Sequence, residues 1–179
     1  MINLLKNKLL NYKLEKESPS NDIIHNNDVP LRKATSIGFL FYIKDKLTFE
    51  SLLNEIKILK NILPKSVKNL EIIFVSEFSK TDFEIPFNCK FIPVSKINWS
   101  NDNVKNDLQI FVEKSFDYLF TYSFSISKIL DQLTRKSHAT CRVTLSEHQD
   151  EGYCEMKLLS SQFAFDDRVK AAVEVLNRM

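Results

Sequence analysis

From residue 34 onward the chain alternates between apolar runs and amphipathic stretches. Residues 35–43 are almost continuously apolar, which predicts a strand buried on both faces. Leu52, Leu53, Ile56, Leu59 and Ile62 then recur at helical spacing, predicting a helix N-capped by Thr48 and closed before Pro64. Residues 70–76 predict a second strand and 90–94 a short third. A helix opening at 101–107 carries Leu108, Phe111 and Val112, and residues 118–122 form an aromatic-rich fourth strand. Ser123 or Ser125 is placed to cap the next helix, whose Ile126, Ile129, Leu130 and Leu133 face inward. Residues 139–145 and 153–158 predict the last two strands around a polar turn at 147–152. Asp166 or Asp167 opens a C-terminal helix with Val169, Val173 and Leu176 on its apolar side.

Strands that alternate with helices pair in parallel through right-handed crossovers. The expected fold is therefore α/β: a single Rossmann-like, mostly parallel sheet of five to six strands flanked by helices. The turn at 147–152 predicts one antiparallel pair at the sheet edge.

Residues 1–33 follow another pattern. Ile2, Leu5, Leu9 and Tyr12 share one helical face, while Lys6, Lys8, Lys13 and Lys16 occupy much of the rest. A polar linker follows at 17–22 and 26–28. The chain thus divides into a basic amphipathic helix with its tether, 1–33, and an α/β domain, 34–179. Such a helix docks on its own domain or a second copy, or binds a protein, RNA or ribosomal surface. The contact residues would be Ile2, Leu5, Lys6, Leu9, Tyr12 and Lys13. The narrow apolar stripe makes a weak membrane anchor, so a membrane surface is not the expected partner.

Composition narrows the chemistry. The chain has two glycines, Gly38 and Gly152, where average usage of about 7% would give a dozen. Loops that cradle nucleotide phosphates place several glycines close together, and none can be drawn here. A hydrophobic fraction of 44% with 14 phenylalanines supplies a core. The net charge of +2 argues against binding through an overall field, though not against a local patch. Cys89, Cys141 and Cys154 show no tight pairing and the start shows no secretory leader, so the expected location is cytoplasmic.

In an open parallel sheet, ligands bind beyond the carboxyl ends of the strands. Lys44, Ser123 and Ser125 are the candidates there. Gly38, where the first strand lacks a side chain, and Arg142, in the basic run Arg135, Lys136, His138 and Arg142, complete the ligand-binding set. A serine cap, a solvated turn and a cationic helix end explain most of these residues without a ligand. No serine stands in a glycine-flanked elbow, and His138 with Cys141 would point to opposite faces of a strand. The spacing of His138, His148, Glu151 and Cys154 fits no zinc pattern. No catalytic residue, metal or cofactor is expected.

Several blocks together resemble an uncharacterised domain-of-unknown-function family of small bacterial α/β proteins. They are Ser36-Ile37-Gly38-Phe39-Leu40, Ile97-Asn98-Trp99, Phe116-Asp117-Tyr118-Leu119, Lys136-Ser137-His138-Ala139 with Arg142-Val143, and Met156-Lys157-Leu158. That family usually carries a glycine after the Arg-Val pair, where this chain has Thr144. The stretch 117–143 is also similar to part of the N-terminal half of heptosyltransferase-like glycosyltransferases, without their nucleotide-sugar domain. Two functional expectations follow. One is a non-catalytic binding module acting through protein or RNA contacts of its N-terminal helix. The alternative is a glycosyltransferase-like enzyme, or a degenerate relative, that binds a nucleotide or sugar near Gly38, Lys44, Ser123 and Arg142.

Overall fold

The central strand, β1 (Ser36–Ile43), is apolar at nearly every position and is buried on both faces. Successive side chains of a strand point to opposite sides. Ile37, Phe39, Phe41 and Ile43 therefore enter one core, and Leu40 and Tyr42 enter the other. The structure is a computed structural model describing residues 25–26, 30–79, 84–85, 89–97, 107–147, 149, 153–159 and 164–179. The predicted N-terminal helix with Ile2, Leu5, Lys6, Leu9, Tyr12 and Lys13 lies outside the described residues. So do 101–106 and Gly152.

Around β1 lie β2 (Asn69–Ser76), β3 (Cys89–Pro93), β4 (Tyr118–Ser123), β5 (Cys141–Thr144) and β6 (Met156–Lys157). Their order is β3-β2-β1-β4-β5-β6, and every pair is parallel. The expected antiparallel edge is thus corrected: β6 runs alongside β5, with Val143 opposite Met156. The connection over 145–155 is a crossover rather than a hairpin turn. Within it, Gln149 donates to the Thr134 hydroxyl of the neighbouring helix at 2.8 Å.

The helices are α1 (Lys46–Ile56), α2 (Leu59–Ile62), α3 (Asp107–Val112), α4 (Lys128–Lys136) and α5 (Phe165–Arg178). The layer of α1, α2 and α5 covers the Phe39/Phe41 face, and α3 with α4 covers the Leu40/Tyr42 face. The first face is knit by aromatic rings directly across strands. Phe39 stacks on Phe120 and Phe41 on Phe74, each at 5.0 Å between centroids, and Phe165 of α5 meets Phe41 edge-on at 5.0 Å. Such pairs add about 0.5–1.5 kcal/mol each beyond the area they bury.

Three predicted caps move. Asp45, not Thr48, begins α1: its carboxylate accepts the Thr48 N–H at 2.8 Å and the Thr48 hydroxyl at 2.8 Å, which hold it below the usual carboxylate range. Ser127 caps α4 by accepting the Leu130 N–H at 3.1 Å, so Ser123 and Ser125 belong to the preceding loop and Ile126 is exposed rather than inward. At α5 the cap comes from another helix, for Glu55 of α1 accepts the Phe165 N–H at 2.6 Å. Asp166 and Asp167 instead share Lys170 at 2.9 and 2.8 Å.

Gly38 belongs to the second core. A Cβ placed there would meet the Phe116 ring at 2.9 Å and the Phe111 ring at 3.0 Å. Both rings are buried, so neither can swing into solvent. Gly38→Ala is expected to lower stability by about 1–3 kcal/mol, the usual cost of overpacking, with an unchanged m-value in urea unfolding. A neutral or stabilised variant would show that the two rings do not close the space.

Candidate functional site

The strand order 3-2-1-4-5-6 is that of doubly wound sheets, in which ligands bind where the order reverses. Here that place is the carboxyl end of β1 and β4. From β1 the chain turns into α1 on one face, and from β4 into α4 on the other. Lys44, Ser123 and Ser125 do gather at this edge.

Most polar groups at this edge bond to one another. The Ser123 hydroxyl donates to the Ser125 carbonyl at 2.7 Å and accepts the Ser125 N–H at 3.1 Å. Ser146, after β5, accepts the Ser123 N–H at 3.1 Å and donates to the Ser123 carbonyl. On the α3/α4 side the Tyr42 hydroxyl donates to Glu77. Burial, reinforced by the Glu77 carboxylate, holds that phenol far above its ordinary range. Below this layer Gln149 closes a fully enclosed network. Its amide oxygen accepts from Thr121 at 2.6 Å and Thr144 at 2.7 Å, and its nitrogen donates to Thr134 at 2.8 Å. Nothing in the sequence flags Gln149, because its partners come from β4, β5 and α4.

Solvent meets a different surface here. Leu47 is 79% exposed, Phe124 52% and Ile126 71%, and Lys44 is exposed beside them. Arg168 of α5 approaches the same edge, its guanidinium 5.8 Å from the Tyr122 ring centre and 3.4 Å from both the Leu145 carbonyl and Glu147.

Gly38 and Arg142 lie elsewhere. Both are level with Leu119 in the sheet register, four residues before Ser123 on β4, or about 13 Å at strand rise. The five ligand-binding candidates therefore do not converge. Phe111 and Phe116 fill the space over Gly38. The Arg142 side chain, 11% exposed, forks onto Glu155 at 2.6–3.2 Å. Its remaining nitrogen reaches the Thr134 and Arg135 carbonyls in the last turn of α4 at 3.3 Å. Arg135 lies over the Tyr153 ring at 5.8 Å, and burial lowers the pKa of Lys136. The basic run is a strut between α4 and the β6 edge.

At the opposite, amino edge the tether enters. The His25 ring donates from Nδ1 to the Ala139 carbonyl at 2.7 Å, and the Asn26 N–H donates to the Thr140 carbonyl at 2.8 Å. Asp117 fixes the entry to β1, accepting the N–H groups of Thr35 at 2.6 Å and Ser36 at 3.0 Å. His25 and Asn26 are thereby held against the α4–β5 loop. A family model matches residues 6–176, spanning both the basic segment and the sheet.

The chain belongs to DUF6913, a family of unknown function. No curated protein and no solved structure matches it. The DUF6913 match includes His25 and Asn26, the tether residues that bond to Ala139 and Thr140. Among the described residues there is no group of three His, Cys, Asp or Glu able to hold a metal, and no helix long and apolar enough to cross a membrane.

Glu155→Ala leaves the Arg142 guanidinium largely buried without its counter-charge, which should cost about 3 kcal/mol in urea unfolding. A loss under about 0.5 kcal/mol, the range of ordinary surface changes, would mean that Arg142 is not held as a strut. Burial also pushes the thiols of Cys89, Cys141 and Cys154 up to about 12 from an ordinary value near 9. The unfolded chain releases these protons first, so stability is intact below pH about 9 and falls as pH rises toward about 12. Native protein at pH 8 should leave Cys89 and Cys141 unmodified by a thiol reagent, whereas urea-unfolded protein reacts fully. Rapid modification of the native fold would overturn this.

Proposed function

We propose that this DUF6913 chain is a non-catalytic binding module that engages RNA through its N-terminal basic segment and the amino edge of the sheet where that segment is attached. The observation that carries the reading is the tether: His25 and Asn26 bond to Ala139 and Thr140 at that edge. The segment upstream carries Lys6, Lys8, Lys13 and Lys16 with the apolar stripe Ile2, Leu5, Leu9 and Tyr12. Lysines neutralise phosphates without reading sequence, which suits a structured RNA or ribosomal surface. The carboxyl edge supports a non-catalytic role in another way. Ser123, Ser146, Thr121, Thr144 and Gln149 spend their hydrogen bonds on one another.

A second reading has one observation in its favour. The strand order β3-β2-β1-β4-β5-β6 is the one that elsewhere binds nucleotides. On that reading a nucleotide or nucleotide sugar would rest near Lys44 and Ser125, inside the rim of Leu47, Phe124 and Ile126.

One pair of measurements separates them. The full chain should bind a short labelled random-sequence RNA in fluorescence anisotropy, and Lys6→Glu with Lys13→Glu should weaken it about tenfold at low salt. Nucleotides and nucleotide sugars should leave the Tm unchanged, since a ligand at 100 times its Kd would add about 2.7 kcal/mol. Absence of RNA binding together with a nucleotide-induced Tm rise would replace the first reading with the second.

A further inference from the structure

The amino edge holds a feature that neither the family match nor the tether accounts for. Between α2 and the start of β2 lies an open cavity of about 400 Å³, lined by Lys60, Lys65, Lys68 and Asn69 with Leu63 and Pro64. The three lysines make no hydrogen bond or ion pair among the described residues, in contrast to Lys90, Lys114 and Lys170, each held by a carboxylate. Local sequence enforces this. From residue 56 to 70 there are four lysines and no aspartate or glutamate.

The fold keeps these charges together. Leu59 and Leu63 are buried anchors at the two ends of α2, which fixes Lys60 on the outer side. The N–H groups of Lys68 and Asn69 both donate to the Thr35 carbonyl, at 2.8 and 3.0 Å, pinning the loop to the entry of β1. The Asn69 amide is tied to the Ser36 hydroxyl at 3.1 Å. Three ammonium groups are thus carried by a clamped α2–β2 turn around one concavity. Of the elements packed on α2, α5 brings Glu174, exposed one helical turn from the exposed Arg178, while its Asp166 and Asp167 are held by Lys170. Like charges that line one cavity without a carboxylate partner repel one another. An anion of two or more negative charges relieves that repulsion.

We infer that the Lys60–Lys65–Lys68 cavity is a phosphate-binding site that takes successive phosphate groups of a polyphosphate or phosphodiester chain. Lysines act here as point charges, so the site reads phosphate spacing and charge rather than base identity. If RNA supplies the phosphates, the cavity extends the surface proposed above, and to that extent it rests on that reading. A free polyphosphate offers the same chemistry without it.

The test uses the full chain and the triple variant Lys60→Glu, Lys65→Glu, Lys68→Glu, with Lys→Gln at the same positions as a milder second variant. All three side chains are exposed, so both variants should melt like the parent. Labelled single-stranded RNA and sodium tripolyphosphate are titrated separately. If RNA is the source, the triple variant should lose tenfold or more in affinity. The slope of log K against log salt should flatten by about 2, three contacts at about 0.7 each. If RNA is not bound by the parent but tripolyphosphate is, and the variants lose it, the site stands and the RNA reading falls. RNA binding that is unaltered in the triple variant, with no tripolyphosphate binding, overturns the site while leaving the RNA reading intact. Failure of the parent to bind either probe overturns both.

Discussion

Burial of β1 on both faces is the constraint from which the rest of the structure follows. A strand that is apolar at nearly every position cannot lie at a wet face, so helices must cover both sides and the connections between parallel strands must supply them. Phe39 and Phe41 tie β1 to β4 and β2 through rings stacked at register positions, and Phe165 brings α5 onto the same patch. On the other side the missing side chain of Gly38 lets Phe111 and Phe116 approach the sheet closely. The assignment of helices to two layers descends from this two-sided demand.

The two edges of the sheet then diverge in chemistry. At the carboxyl edge, hydroxyls and amides from three elements satisfy one another, and Gln149 is their centre. A buried polar group without a partner costs about 1–3 kcal/mol, so such a network ties the β5–β6 crossover to α4. At the amino edge, Asp117, His25 and Asn26 hold the entry of the chain, and the α2–β2 turn leaves three lysines around a cavity with no carboxylate of its own. A near-neutral protein can therefore still carry a local basic cluster, because residues 56–70 hold four lysines and no aspartate or glutamate.

Much of this was legible in the sequence. Strand and helix periods placed the sheet, the helices and their inward residues such as Leu52, Val112, Leu130 and Val169, since burial leaves a direct imprint on spacing. The helix starts were less legible. Thr48, Ser123 and Ser125 are good caps by type, yet Asp45 and Ser127 take the role, because the true start depends on where the strand releases the chain. The cap of α5 is supplied by Glu55 of a distant helix, which no local pattern encodes. Among the candidate residues, Lys44, Ser123 and Ser125 do gather at one edge, while Gly38 and Arg142 are drawn into packing and a buried ion pair.

By itself the sequence determined an α/β protein of alternating elements, a central strand buried on both sides, a basic segment before it and the absence of a glycine-rich phosphate loop. These are properties of composition and short-range period, which any fold of the chain must respect. Tertiary structure alone decided the direction of β6, the partners of Arg142, the Gln149 network and the cavity of Lys60, Lys65 and Lys68. The physical reason is the same in each case. Whether a polar or charged group is consumed or left free depends on what distant segments bring within about 3 Å of it, and sequence spacing carries no record of that distance.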